Sequence, residues 1–175
     1  MTGFRAYIPA LILFVLAIVF QGAFANAITI GSATPNFFVA FALVIAAVYP
    51  RPASVIMGFV LGLLYNLLVS GTVGSMALVL TLLTALVVMV FSRMDGTSLI
   101  FALVSLFILG FLAEVLYGVL TGVFVSGISV SEAMIHRALP CGVYDALITC
   151  VLYPLPALVE NIMSNRQSGQ GEWKL

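Results

Sequence analysis

Charged side chains are scarce in this 175-residue chain, which has six Lys and Arg and six Asp and Glu. Soluble globular domains carry about a quarter of their residues as charged side chains; here charged residues make up 7%, against 63% hydrophobic residues. This composition excludes an ordinary water-exposed surface. Because the formal net charge is zero, it also gives no basic face for nucleic acid and no acidic face for cationic partners.

Groups that carry catalysis and metal binding are equally sparse. His136 is the sole histidine, so no multi-histidine metal site exists. Cys141 and Cys150 are nine positions apart, which at about 100° per residue places them on opposite faces of a helix and argues against a disulfide or a shared metal. No G-x-S-x-G, Walker or Rossmann pattern occurs. We therefore expect no enzyme activity, no metal and no cofactor.

Long apolar blocks fill most of the chain, and all but the second have at least the roughly 17 residues that a membrane helix needs. Because lipid offers no hydrogen bonds to the backbone and the blocks lack a two-residue alternation, they predict helices and not a barrel. The predicted fold is an all-α, polytopic membrane helix bundle of about six transmembrane helices. The predicted spans are Tyr7–Phe24, Asn36–Tyr49, Ala53–Val69, Ser75–Phe91, Ser98–Phe124 and Cys141–Ile162.

The second block is the shortest and rises only about 21 Å, so it either includes part of Ala27–Thr34 or is a half-helix. Thr34 and Pro35 predict its start, with threonine as the N-cap and proline in the first helical position. The prolines at 50 and 52 predict a tight break before the third span. A secretory signal peptide ending near Ala25 is the alternative interpretation of the first block, which is long for such a signal.

Basic residues near span ends predict the orientation, since Lys and Arg concentrate on the cytoplasmic side. Six spans with the N-terminus inside place all but Arg137 in the cytoplasm. Five spans, with a re-entrant second segment, would split the basic residues between the two sides. We expect one transmembrane domain over residues 1–163, a polar, disordered cytoplasmic tail over 164–175, and both termini in the cytoplasm.

The stretch 127–140, between spans five and six, predicts a short external amphipathic helix. Ser129 followed by Glu132 matches a capping box, and apolar positions from Val130 to Leu139 fall roughly on one face. The helix would lie on the outer membrane surface, with His136 and Arg137 on its solvated side.

Glycines at regular spacing form the most informative motif. Gly58 and Gly62 make a small-xxx-small face that lets another helix approach closely, and Gly118 and Gly122 repeat it in span five. Packing within the chain is the simpler interpretation of such a motif, and contact with a partner helix is the other.

The stretch Gly58-Phe59-Val60-Leu61-Gly62, with Asn66 and Gly74 after it, resembles the MreD family of the bacterial rod-shape machinery. That family carries G-F-x-x-G-x-x-x-D and a further glycine eight residues after the Asp. Asn66 stands at the Asp position, which keeps hydrogen bonding but removes a charge, and puts a proton-linked or ion-pair role there in doubt.

The resemblance implies a non-enzymatic subunit of the cell-elongation complex in the bacterial plasma (inner) membrane. Its implied partners are MreC-like and wall-synthase subunits. On this hypothesis, partner packing would involve Gly58, Phe59, Gly62, Gly74, Gly118 and Gly122.

Three polar residues are predicted to share one depth in the outer part of the membrane: Asn66, Glu114 and Asp145, counted from the span ends at about 1.5 Å per residue. Each has a tyrosine close by in sequence that could donate to a carboxylate. Since an intramembrane carboxyl group costs several kcal/mol unless paired or neutral, Glu114 is either part of a ligand or partner site or a protonated packing group.

A substrate-binding subunit of an energy-coupling-factor vitamin transporter is the alternative function, because such subunits are also small, six-spanning and free of catalytic motifs. It would need a vitamin pocket near Glu114. A stand-alone channel has little support, since no filter or charged ring occurs.

Overall fold

Six α-helices make up the regular secondary structure of the described chain. The computed structural model describes residues 7–30, 33–69, 74–93, 98–124, 131 and 134–156, and no named strand occurs in these ranges. The helices are α1 (Ile8–Phe24), α2 (Phe37–Val48), α3 (Pro52–Leu68), α4 (Ser75–Phe91), α5 (Leu99–Phe124) and α6 (Leu139–Leu152). The predicted all-helical fold is thus confirmed.

Two helical stretches are long and apolar enough to cross a membrane: α5, and 139–156, which contains α6. The other four are shorter apolar helices. Large apolar side chains cover the outside, and Leu67, Ile100 and Val151 expose 70%, 74% and 69% of their surface. Soluble monomers rarely expose large contiguous apolar patches, so this surface suits a lipid environment.

The short helix α2 lies at the centre of the bundle. All of its 12 residues except Val48 are buried, and it packs against α1, α3, α4, α5 and α6. A helix that is apolar on every face is suited either to the centre of a bundle or to lipid, and α2 takes the central position. At 1.5 Å per residue α2 rises about 18 Å, short of the hydrocarbon thickness of about 30 Å, so a full crossing by the second segment remains a prediction.

Two helix pairs flank α2: α3 packs mainly on α4, and α5 on α6. The break between α2 and α3 follows the prediction. Pro52 opens α3 in its first turn, and the Ser54 hydroxyl donates to the Tyr49 carbonyl at 2.6 Å. Helix α1 is peripheral, with only Ala10 and Ala17 buried, and it contacts α2 and α3.

The segment before α6 differs from the predicted surface helix. Residues 127–130, 132 and 133, and with them the capping box, lie outside the described residues. The following turn, Met134–Ala138, is π-helical and runs directly into α6. Pro140 does not end this helix, because it stands in the first turn of α6, where a proline removes no needed hydrogen bond.

Candidate functional site

The N-terminus of α2 lies inside the bundle, and side chains from three helices surround it. Asn36, not Thr34, is its N-cap, and the Asn36 Oδ1 accepts from the Val39 N–H at 3.4 Å. Gln21 of α1 accepts from the Phe37 N–H at 2.8 Å. These bonds satisfy backbone donors that a helix start leaves open, which allows α2 to begin away from water.

Asn36 also joins the two acidic side chains of the predicted polar level. Its backbone N–H donates to Asp145 Oδ1 at 2.7 Å, and its Nδ2 donates to Glu114 Oε1 at 3.0 Å. The three residues expose 3% or less of their surface. The structure therefore brings Glu114 of α5 and Asp145 of α6 to one point, with Asn36 between them.

This cluster contains two acidic side chains, Glu114 and Asp145. The Glu114 and Asp145 carboxyl groups are close enough for their charges to repel each other. The positive end of the α2 dipole faces them and offsets part of that repulsion. Asp145 Oδ2 is buried and accepts from none of the described donor groups, but the Asp145 and Glu114 side chains are close enough to share a hydrogen bond when one of the two is protonated.

A cavity of about 540 Å³ opens beside this cluster. Helix α1, the residues before α2, the end of α3, and Glu114 form its wall. The lining residues are Gln21, Gly22, Ala25, Asn26, Thr34, Pro35, Asn36, Tyr65, Leu68, Val69, Glu114 and Cys141. Its volume falls in the range of small-molecule sites, about 300–1,000 Å³.

Asn66, the third member of the predicted polar level, does not join the cluster at Asn36 but bonds to the start of α4. Its Oδ1 accepts from the backbone N–H groups of Met76 and Ala77 at 3.1 and 3.2 Å, and its Nδ2 lies 3.4 Å from the Ser75 hydroxyl. Asn66 of α3 thus caps the first turn of α4. A carboxylate would accept the same two bonds, so the Asn in place of the family's Asp preserves this cap.

Gly58 and Gly62, two glycines of the predicted partner face, pack against α4 within the chain. A Cβ on Gly62 would lie 2.5 Å from the Ala77 Cα and 2.7 Å from the Met76 carbonyl oxygen. A Cβ on Gly58 would lie 2.7 Å from the Thr84 side chain. Helix α4 therefore lies against the face that these two residues form, which supports the interpretation of packing within the chain; contact with a partner helix stays a prediction.

The other four residues of the partner-packing hypothesis lie in different environments. Phe59 is 46% exposed on the outside of α3. Gly74 has a φ of 90° and precedes α4, a conformation that glycine adopts without strain. Gly118 is buried in α5 and Gly122 is half-buried. The described structure does not bring the six residues together on one surface.

The tyrosines near the polar level do not all act as predicted. Tyr144 donates to the Ile28 carbonyl at 2.8 Å, away from the carboxyl groups. The Tyr65 and Tyr117 rings meet edge to face with centroids 5.5 Å apart. Tyr65 also lines the cavity.

The sequence analysis did not select Asn36 or Gln21, although both hold the start of α2. A polar residue directly before a fully apolar block was the available signal for Asn36. Gly110 and Gly142 were also missed. A Cβ on either would come within 3.0 to 3.2 Å of the facing helix, which shows how closely α5 and α6 approach.

No group of three or more His, Cys, Asp or Glu side chains among the described residues has the arrangement of a metal site. Both cysteines are free; Cys141 lines the cavity, and the Cys150 thiol lies 3.4 Å from the Leu103 carbonyl oxygen.

Comparison with known proteins gives one finding. The family described as rod shape-determining protein MreD matches residues 4–160, most of the chain, and does not favour the vitamin-transporter alternative. Neither a search of curated proteins nor a search of solved structures returns a match. The match confirms the resemblance drawn from the Gly58–Gly74 stretch, and the chain belongs to the MreD family of membrane proteins that determine rod shape.

Proposed function

We propose that this protein is a non-enzymatic membrane subunit of the bacterial cell-elongation (rod) complex. It supports lateral peptidoglycan synthesis through helix–helix contacts with MreC-like and wall-synthase subunits. The family match over residues 4–160 carries this proposal. On this account the protein lies in the plasma (inner) membrane, with both termini in the cytoplasm, as the distribution of Lys and Arg predicts.

The contact surface we propose is a groove between α1 and α6, here called the α1–α6 groove. The two helices flank α2 without packing extensively on each other. One cavity of about 340 Å³ in this groove includes Pro9, Ile12, Leu16 and Leu155 in its lining. Its lining is almost entirely apolar, so a partner here would bind by packing and not by polar contacts.

The length of the groove favours a transmembrane helix as its occupant. A second cavity of about 340 Å³ lies farther along the same seam, between Ile28 and Val151, and both cavities share Leu152. The seam therefore runs from Pro9 past the end of α1, whose 17 residues rise about 25 Å. We commit to one helix of an MreC-like subunit as the occupant.

Filling the groove should remove function without unfolding the protein. Ile12 and Leu16 are 54% and 37% exposed, so replacing both by Trp adds bulk at the groove and leaves the buried core intact. In a rod-shaped bacterium depleted of its own MreD, we expect wild type to restore rods and the Ile12→Trp/Leu16→Trp variant to leave round cells at equal protein level.

Leu82→Trp is the matched control. Leu82 is 59% exposed on α4, which does not pack extensively on α1 or α6, so this variant should restore rods. The groove proposal fails if the double variant restores rods as well as wild type does. The family role itself fails if wild type does not restore them.

A further inference from the structure

The Glu114–Asp145 pair is a part of the buried cluster that helix–helix contact with partner subunits does not use. Glu114 of α5 exposes 2% of its surface and Asp145 of α6 exposes 0%. Their side chains are close enough to share a hydrogen bond. Because a carboxyl group inside a membrane protein is costly unless it is paired or neutral, the charge of this pair needs a physical explanation.

Asp145 has one oxygen atom that the hydrogen bonds of the described chain leave unexplained. Its Oδ1 accepts from the Asn36 N–H at 2.7 Å, whereas its Oδ2 is buried and accepts from no donor in the described ranges. Buried polar atoms nearly always have a partner. The Glu114 carboxyl beside it is only an acceptor when it is ionised, so it offers Oδ2 a bond only if a proton lies between the two groups.

Asn36 shows which member of the pair accepts. Its Nδ2 donates to Glu114 Oε1 at 3.0 Å, and its Oδ1 accepts from the Val39 N–H at 3.4 Å, which fixes the amide orientation. Glu114 therefore accepts from Asn36, as a carboxylate does. A carboxylic acid at Asp145 would accept from the Asn36 N–H at Oδ1 and donate its O–H from Oδ2, so both of its oxygens would have a partner.

We propose that Asp145 is a neutral carboxylic acid in the folded protein, that its Oδ2–H donates to the Glu114 carboxylate, and that this proton holds the start of α2 in place. Both acids bond to Asn36, the N-cap of α2. Release of the proton replaces their shared hydrogen bond by the repulsion of two buried charges. The start of α2 is then held less firmly.

The cavity of about 540 Å³ gives this proton a path to solvent. Glu114 lines the cavity, and so do Asn26 and Thr34, which are both exposed. The proton leaves Asp145 through Glu114, which is the member of the pair that lines the cavity, and passes to water that enters from outside. The attachment of α2 therefore responds to the pH on the side of the membrane to which the cavity opens.

The titratable side chains on the surrounding helices are of two kinds. Helices α1, α2 and α4 carry none, and α3, α5 and α6 carry, besides the pair, Tyr65, Tyr117, Cys141, Tyr144 and Cys150. Tyrosine and cysteine ordinarily ionise only at alkaline pH. The turn before α6 adds His136 and Arg137, whose side chains lie outside the described residues, and a test must separate His136 from the pair because histidine titrates near neutral pH.

Infrared spectroscopy of the wild-type protein detects the proton directly. In maltoside micelles, which contain no ester carbonyl, we expect the carbonyl stretching band of an un-ionised carboxylic acid at neutral pH, where ordinary carboxyl groups are ionised. Asp145→Asn should remove the band, because its amide retains an acceptor for Asn36 and a donor for Glu114 but is not an acid. Asp95→Asn is the matched control and should retain the band, since Asp95 stands between α4 and α5 in the sequence.

Equilibrium unfolding at a series of pH values measures the same proton through stability. While the folded protein keeps a proton that the unfolded chain has released, the folded state binds one proton more, so stability falls as the pH rises. From weakly acidic to neutral pH, the unfolding constant of wild type should rise about tenfold more per pH unit than that of Asp145→Asn. His136→Gln should retain the wild-type slope.

The proposal is overturned if wild type lacks the acid band at neutral pH, or if Asp145→Asn retains it. Equal pH slopes for wild type and Asp145→Asn also overturn it, because the proton would then not hold α2. An Asp145→Asn protein that does not fold contradicts it as well, since the amide reproduces the bonds of the neutral acid. These measurements involve no partner protein, so their outcome is independent of the α1–α6 groove.

Discussion

Gly62→Ala should destabilise the protein by about 2 kcal/mol, and Gly62→Leu should prevent folding. The added Cβ would approach backbone atoms of Met76 and Ala77 at 2.5 to 2.8 Å, and backbone cannot rotate away as a side chain can. Forcing an extra methyl group into a tight core costs about 1–3 kcal/mol or more, which outweighs the gain of about 1 kcal/mol in helix propensity from Gly to Ala. Equilibrium unfolding in mixed detergent micelles measures the difference.

Gly22→Ala is the matched control for this prediction. Gly22 also lies within a helix, but a Cβ there would have no neighbour within 4 Å. We expect its stability to be unchanged or raised by up to about 1 kcal/mol. If Gly62→Ala and Gly22→Ala unfold at the same detergent composition, the close approach of α3 and α4 is not as described.

Asn36→Val should lower stability by about 3 kcal/mol, since a buried polar group left without its partner costs about 1–3 kcal/mol. The substitution removes the Nδ2 bond to Glu114 and the acceptor for the Val39 N–H, while the backbone bond to Asp145 remains. Equilibrium unfolding in mixed detergent micelles measures this loss of stability as well.

Asn26→Ala provides the comparison for Asn36→Val. Asn26 lines the same cavity but is exposed, so its replacement should change stability by no more than about 0.5 kcal/mol. An Asn36→Val protein as stable as Asn26→Ala would show that Asn36 does not hold the start of α2.

Apolar block length was enough to predict the helices. Five of the six predicted starts lie within one residue of those in the structure, and α6 begins two residues before its predicted start at Cys141, with the Met134–Ala138 turn leading into it. The central place of α2 was not predicted, because a uniformly apolar helix can face either lipid or other helices. A short block was interpreted only as a short span, because length in sequence does not report what surrounds a helix.

The polar residues also show that position along a helix does not predict which neighbour a side chain meets. Counting depth placed Glu114 and Asp145 at one level, and the structure joins them through Asn36. Depth alone also included Asn66, whose rotation about the α3 axis directs it to the start of α4. Likewise, the spacing of Gly58 and Gly62 predicts a close helix contact but does not distinguish α4 from a helix of another protein.

Site-specific photo-crosslinking in growing cells tests most directly whether a helix of an MreC-like subunit occupies the α1–α6 groove. A photoreactive amino acid at position 12 faces the α1–α6 groove, and one at position 82 is an equally exposed control. We expect a crosslinked product containing the MreC-like subunit from position 12 and little or none from position 82. Equal products from both positions, or none from position 12 in cells whose rod shape that protein restores, would contradict it.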